Sequence, residues 1–123
     1  MTIRRQLAQS RPANTSAATL FSQNYDDPVE IETLHICNVT ASAVDVSVFH
    51  DKDGTTFDQT TAIVYQYSLA ANDWMSIDDI IGEWSHLGSI GIQVGTANAA
   101  TFTLYGTAKS EDLPILQGNK GVS

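Results

Sequence analysis

Asp51-Lys52-Asp53-Gly54, with Asp58 a few residues on, has the residue types and spacing of a cation loop. Carboxylates at alternate positions before a glycine can wrap a hard ion such as calcium. The third carboxylate before the glycine, the closing glutamate and the flanking helices of an EF-hand are missing, however, and Lys52 places a positive charge inside the would-be site. Asp and Gly also serve loops that cap their own amides. The expectation is therefore a solvated turn with no metal, and calcium through Asp51, Asp53 and Asp58 is the alternative.

The other reactive side chains converge less. His50 is next to Asp51, and neighbouring strand residues point to opposite faces. His35 and Cys37 share a face, but a transition metal there would need two more ligands, and the position reads as buried and structural. Asp78-Asp79 and Glu83 are the nearest approach to paired carboxylates, but aspartates that precede a possible helical turn cap it or face solvent. His86 is isolated. Gly-rich phosphate loops, nucleophile elbows and zinc spacings are absent from the sequence. The expectation is a protein without catalytic residues or a cofactor.

The elements that carry these residues are short strands. In Ala43–His50, Val44, Val46 and Val48 alternate with Asp45, Ser47 and Phe49, the period-2 pattern of a half-buried strand. Ala62–Leu69 puts Ile63, Tyr65, Tyr67 and Leu69 on one side, and the eleven residues from Asp51 to Thr61 read as a projecting loop. Strands are also expected over Ala17–Gln23, from Val29, from Trp74, over Ser89–Val94 and over Ala100–Gly106. In the strand from Val29 the apolar phase changes between Ile31 and Leu34, which predicts a bulge near Thr33. Ile80–Leu87 fits a helical turn or an irregular crossover. This rhythm predicts an all-β antiparallel sandwich, jelly-roll or Ig-like, of about seven to eight strands. The expected organisation is an extended N-terminal arm over residues 1–16, the sandwich over 17–108 and a C-terminal tail over 109–123. Phe49, Tyr105 and one of Trp74 or Met75 have a parity that turns them from the core, to be covered within the domain or by a partner.

Charge adds an asymmetry. The chain of 123 residues has a formal charge of −8, yet Arg4, Arg5 and Arg11 lie in the first eleven positions. All fourteen acidic residues fall between Asp26 and Asp112, where only Lys52 and Lys109 oppose them. Phosphate contacts need clustered Lys and Arg, so an acidic body argues against nucleic acid. A lone Cys37 excludes an intrachain disulfide. The N-terminal stretch lacks the apolar core of a signal peptide, and no stretch approaches a membrane span.

Several segments together carry a resemblance: RRQLAQSRPANTSAATLFS, LHICNVTASAVDVSVFHDKDGTTFD, TTAIVYQYSLAAND and ANAATFTLYG, within Arg4–Gly106. The chain resembles small β-sandwich virion structural proteins of tailed bacteriophages, the matching turns being Cys37-Asn38-Val39-Thr40 and Leu69-Ala70-Ala71-Asn72-Asp73. The resemblance implies a capsid decoration or cement protein on the outer shell, a homotrimer made in the host cytoplasm and bound to the major capsid protein and to itself. Alternatives are a tail, neck or fibre-attachment protein and, from another class, a carbohydrate-binding module. Arg4, Arg5, Arg11, Phe49, Tyr105, Leu113 and Ile115 are the expected partner-binding residues.

Overall fold

A computed structural model of the chain describes residues 2–23, 29–78, 82–84 and 88–109. Its strands are β1 (Thr2–Ser10), β2 (Ala18–Gln23), β3 (Val29–Asn38), β4 (Val44–Asp51), β5 (Ala62–Leu69), β6 (Trp74–Ile77), β7 (Gly82–Trp84), β8 (Gly88–Val94) and β9 (Ala100–Lys109). All pairings are antiparallel. One sheet, here sheet A, runs β1-β9-β3-β6, and β7 continues β6 along the same side of β3. The other, sheet B, runs β2-β8-β4-β5.

Four strand positions face four. The chain changes sheet at nearly every connection, and β4 and β5 are the one consecutive pair joined side by side as a hairpin. This order is the double Greek key of a jelly roll rather than the Ig arrangement. Ile31, Leu34, Ile36, Val46, Val48, Ile90, Ile92, Phe102 and Leu104 fill the space between the sheets, each at most 1% exposed.

The phase change in β3 is a bulge. Its register against β9 shifts between Ile31 and Thr33, so Ile31 and Leu34 both reach the core although their parity differs. Gly106 makes the close approach beside it possible. A Cβ there would run into the Glu30 carbonyl oxygen.

Four expectations change. Residues 2–10 are not a free arm: they form β1, the edge of sheet A, paired with β9 from Thr2↔Lys109 to Ser10↔Phe102 with a one-residue shift between Gln6 and Ala8. Pro12 beyond it is buried, and its carbonyl accepts from the Asn98 amide at 2.8 Å. The loop from Asp51 to Thr61 does not project but folds back onto sheet B. Within β5 a second bulge interrupts the alternation: Val46 pairs with Tyr67 but Val48 with Val64. Gln66 there adopts φ 51°, and its amide donates to Ser47 Oγ at 2.8 Å. Finally, Gly82–Trp84 is strand rather than helical turn, pairing with Val29–Ile31. The rest of Ile80–Leu87, like the tail from Ser110, lies outside the described residues.

Candidate functional site

The outer face of sheet B is roofed by the chain's own loop. β8 places Gly91 opposite Phe49, and Phe57 from the loop lies over the glycine, so that a Cβ on Gly91 would be 2.5 Å from its ring. Phe57 stacks on Phe49 at 6.1 Å between centroids. Phe49 therefore does face away from the inter-sheet core, as its parity predicts, but it is 1% exposed and unavailable to a partner.

Asp51 ties the loop down. It is buried rather than solvated, accepting from the Thr56 amide at 2.7 Å and the Asp53 amide at 3.1 Å. These bonds, the Thr56 one foremost, hold its carboxyl below the ordinary value. Asp58 caps a 3₁₀ turn over Gln59–Thr61, accepting from the Thr60 hydroxyl and amide, which lowers its pKa too. Asp53 faces solvent and pairs with Lys52 at 3.1 Å. Each of the three carboxylates of the calcium alternative thus has partners within the loop. Among the described residues no group of three His, Cys, Asp or Glu is placed to hold a metal. His50 next to this loop is lowered in pKa by burial, against the opposing charge of Asp51.

Sheet A presents a different outer face. Trp74 is 59% exposed and Tyr105 40% exposed. Trp74 stacks on His35 at 5.2 Å, and His35 Nδ1 lies 3.4 Å from Ser76 Oγ, so the ring's neighbours are an aromatic and a hydroxyl. Cys37 is half-buried opposite Trp74 and Thr101, its thiol directed at the Asn38 carbonyl at 3.9 Å.

A shallow depression of about 560 Å³ crosses this face, lined by Arg5, Gln6, Glu32, Thr33, His35, Ser76 and Tyr105. Arg5 is half-buried there, and its Nε and Nη1 reach no acceptor. Arg4 lies on β1 opposite Thr107, and Arg11 is exposed just past the strand. Leu113 and Ile115 lie outside the described residues.

A second exposed surface is one the alternation concealed. β5 is the edge of sheet B, and its Tyr65 and Tyr67 are 44% and 51% exposed. No charged residue or proline blunts this edge. The bulge between Tyr67 and Val64 moves Tyr65 off the side that period-2 counting shares with Leu69, whereas Tyr67 keeps that side, opposite Val46, and a uniform AIVYQYSL string carries no signal for it.

Asn38 brings the two turns of the resemblance together. It is 1% exposed, and its Nδ2 donates to the carbonyls of Ser42, Leu69 and Ala70 at 2.9, 3.1 and 3.0 Å. Its Oδ1 accepts from the amide and hydroxyl of Thr40. The backbone repeats the link through Asn38 N–H to Asp73 O at 2.8 Å and Asn72 N–H to Thr40 O at 2.9 Å. These turns are structural fixtures.

No protein-family model matches the chain, and no curated protein does. Solved structures with a similar arrangement of strands belong to unlike systems. One is an infectious bursal disease virus structure, 14% identical over 88% of this chain with a TM-score of 0.49; the chain spans 32% of that one's length. A second is the nucleoplasmin-like N-terminal domain of Drosophila FKBP39, 10% identical, covering 89% of this chain and 92% of that one, TM-score 0.47. A third comes from the capsid of Helicobacter pylori bacteriophage KHP30, 12% identical, covering 89% and 99%, TM-score 0.45.

Proposed function

We propose that the chain is a virion structural protein of a tailed bacteriophage, a capsid decoration or cement protein that self-associates and binds the outer shell. The observation that carries this reading is the pair of exposed aromatic surfaces on different sheets: Trp74 and Tyr105 on the outer face of sheet A, Tyr65 and Tyr67 on the edge strand of sheet B. A subunit of a shell makes contacts on more than one side, whereas a binary binder needs one. Exposed aromatics are the residues enriched in protein interfaces. The resemblance of the Asn38 and Asn72 turns to phage virion proteins points the same way, and so does the proposed absence of catalysis.

The test is co-sedimentation with undecorated phage shells. Binding that saturates at a fixed number of copies per shell is expected, weakened about tenfold or more when Tyr65 and Tyr67 are both changed to Ser, the cost of losing buried aromatic anchors. A protein that leaves shells entirely in the supernatant would sink the reading.

A second reading has one observation behind it. Trp74 and Tyr105 share a face with a shallow depression that Tyr105 helps to line, as a sugar-stacking platform would. Glycan-array binding lost on Trp74→Ala would favour a carbohydrate-binding module instead.

A further inference from the structure

The outer face of sheet B carries a groove beside the loop roof. Its floor is β4, where Ser47 is 3% and Phe49 1% exposed. Gln93 on β8 stands opposite Ser47 on one side, and Tyr65 and Gln66 on the edge strand β5 stand on the other. Two hollows make up the groove, one of about 420 Å³ at Phe57 and Asp58 and one of about 240 Å³ at Asp45 and Gly95. Gln93 lines both, Tyr65 the first and Gln66 the second. From Asp45 to Phe49 the floor runs about 13 Å at the rise of a strand.

The β5 bulge builds one wall. Val46 pairs with Tyr67 and Val48 with Val64, so Tyr65 and Gln66 together stand against Ser47 alone, and both line the groove. A regular strand would turn one of the two toward the other sheet. Gln66 holds this arrangement at φ 51°, a left-handed conformation that a residue with a Cβ adopts at a cost. Strain of this kind gathers at ligand-binding positions. The polar groups along the groove have capacity left. Gln93 Nε2 donates to the Thr15 carbonyl and Asp58 accepts through Oδ1, which leaves Gln93 Oε1 and Asp58 Oδ2 without a partner among the described residues.

We propose that this groove binds a neutral oligosaccharide. A sugar chain presents hydroxyls that both donate and accept, beside an apolar C–H face. The side-chain amides of Gln66 and Gln93 supply donors and acceptors, the carboxylates of Asp45 and Asp58 accept, and the Tyr65 ring, 44% exposed, offers the apolar face a surface to lie on. The loop end is set in advance by the bonds to Asp51 and the Asp58 cap, so binding orders little chain. Charge disfavours acidic ligands. Neither hollow is lined by Lys or Arg, each has an aspartate, and the chain carries a formal charge of −8. The site lies on the opposite sheet from Trp74 and Tyr105 and uses neither. It goes beyond the shell reading, with which it shares Tyr65.

The experiment is an amide NMR titration of the full chain with soluble glucan, mannan, galactan and chitin oligosaccharides, each taken to about 10 mM to reach weak affinities. At least one is expected to move the Ser47, Tyr65, Gln66 and Gln93 signals together and to saturation, while those of Trp74 and Tyr105 stay. Gln93→Ala should weaken this binding about threefold or more, the loss of one hydrogen-bonding group. Gln66→Gly should do the same without lowering the melting temperature, because glycine suits φ 51°. The second variant therefore reports even if the first disturbs the Thr15 contact. Gln93 lies two strands in from the β5 edge, so Gln93→Ala should leave co-sedimentation with shells unchanged. Sugar binding and shell binding thus fail separately. The proposal is overturned if no oligosaccharide moves the groove signals, or if the shifts are confined to the Trp74 face. It is overturned equally if an acidic galacturonan oligomer binds as tightly as the neutral ones, or if neither variant changes the affinity.

Discussion

At the residue scale, Asn38 does what no other side chain type could do there. It donates to three carbonyls and accepts two bonds within a site closed to water. Replacing it with Ala strands several buried acceptors, for a loss of about 2–3 kcal/mol, and Asp, which has no N–H to donate, should cost more still. Urea unfolding of Asn38→Ala and Asn38→Asp checks this. A loss below that of an ordinary surface change would mean that water replaces the amide. Asp51 shows the same economy with charge. Its folded pKa lies below the ordinary 3.8 because two amides donate to the carboxylate. Those bonds therefore stabilise the fold above that pH, and their contribution is lost as pH falls through the depressed value. The melting-temperature deficit of Asp51→Asn should be full at pH 7 and shrink in acid below 3.8. Calcium should leave the parent's melting temperature unchanged. A calcium-dependent rise abolished in an Asp51→Asn, Asp53→Asn variant would restore the cation reading.

At the element scale, the bulges of β3 and β5 separate what the sequence reveals from what it hides. The β3 bulge is legible because Ile31 and Leu34 are both strongly apolar and out of phase, so one strand can bury both only by gaining a residue. The β5 bulge is hidden, since Tyr, Gln and Ser suit either face at a sheet edge. β1 was hidden for a related reason. Its arginines read as a solvated arm, yet an edge strand tolerates charge on its outer side and is favoured by it. Jelly roll and Ig alternatives were inseparable in sequence because both are strings of alternating strands, and only the pairing order tells them apart. Glycines sharpen the point. Gly106→Ala would push a methyl against the Glu30 backbone, which cannot move without parting β3 from β9. A loss of about 3 kcal/mol or more is expected. At Gly91 the obstacle is the Phe57 ring, a loop side chain that can tilt away, so Gly91→Ala should cost about 1 kcal/mol and open the loop. Denaturant titration with limited proteolysis at Asp51–Thr61 distinguishes them. Equal losses at the two sites would mean that the roof is as rigid as the sheet.

At the scale of the whole molecule, the described residues leave the sandwich with one face roofed, one face on which no described segment lies, and an aromatic edge. The roof was the part least visible in sequence, because Phe57 lies in a polar loop and its target is a glycine. The aromatic edge is where the proposed shell contact falls. Changing Tyr65 and Tyr67 to Ser should therefore lower shell binding about tenfold or more while costing the fold no more than an ordinary surface change, since both side chains are exposed. Binding isotherms on undecorated shells, read beside urea unfolding of the same variant, measure this directly. Shell affinity that survives the change in a folded variant would move the contact from the edge of sheet B to the aromatics on the outer face of sheet A.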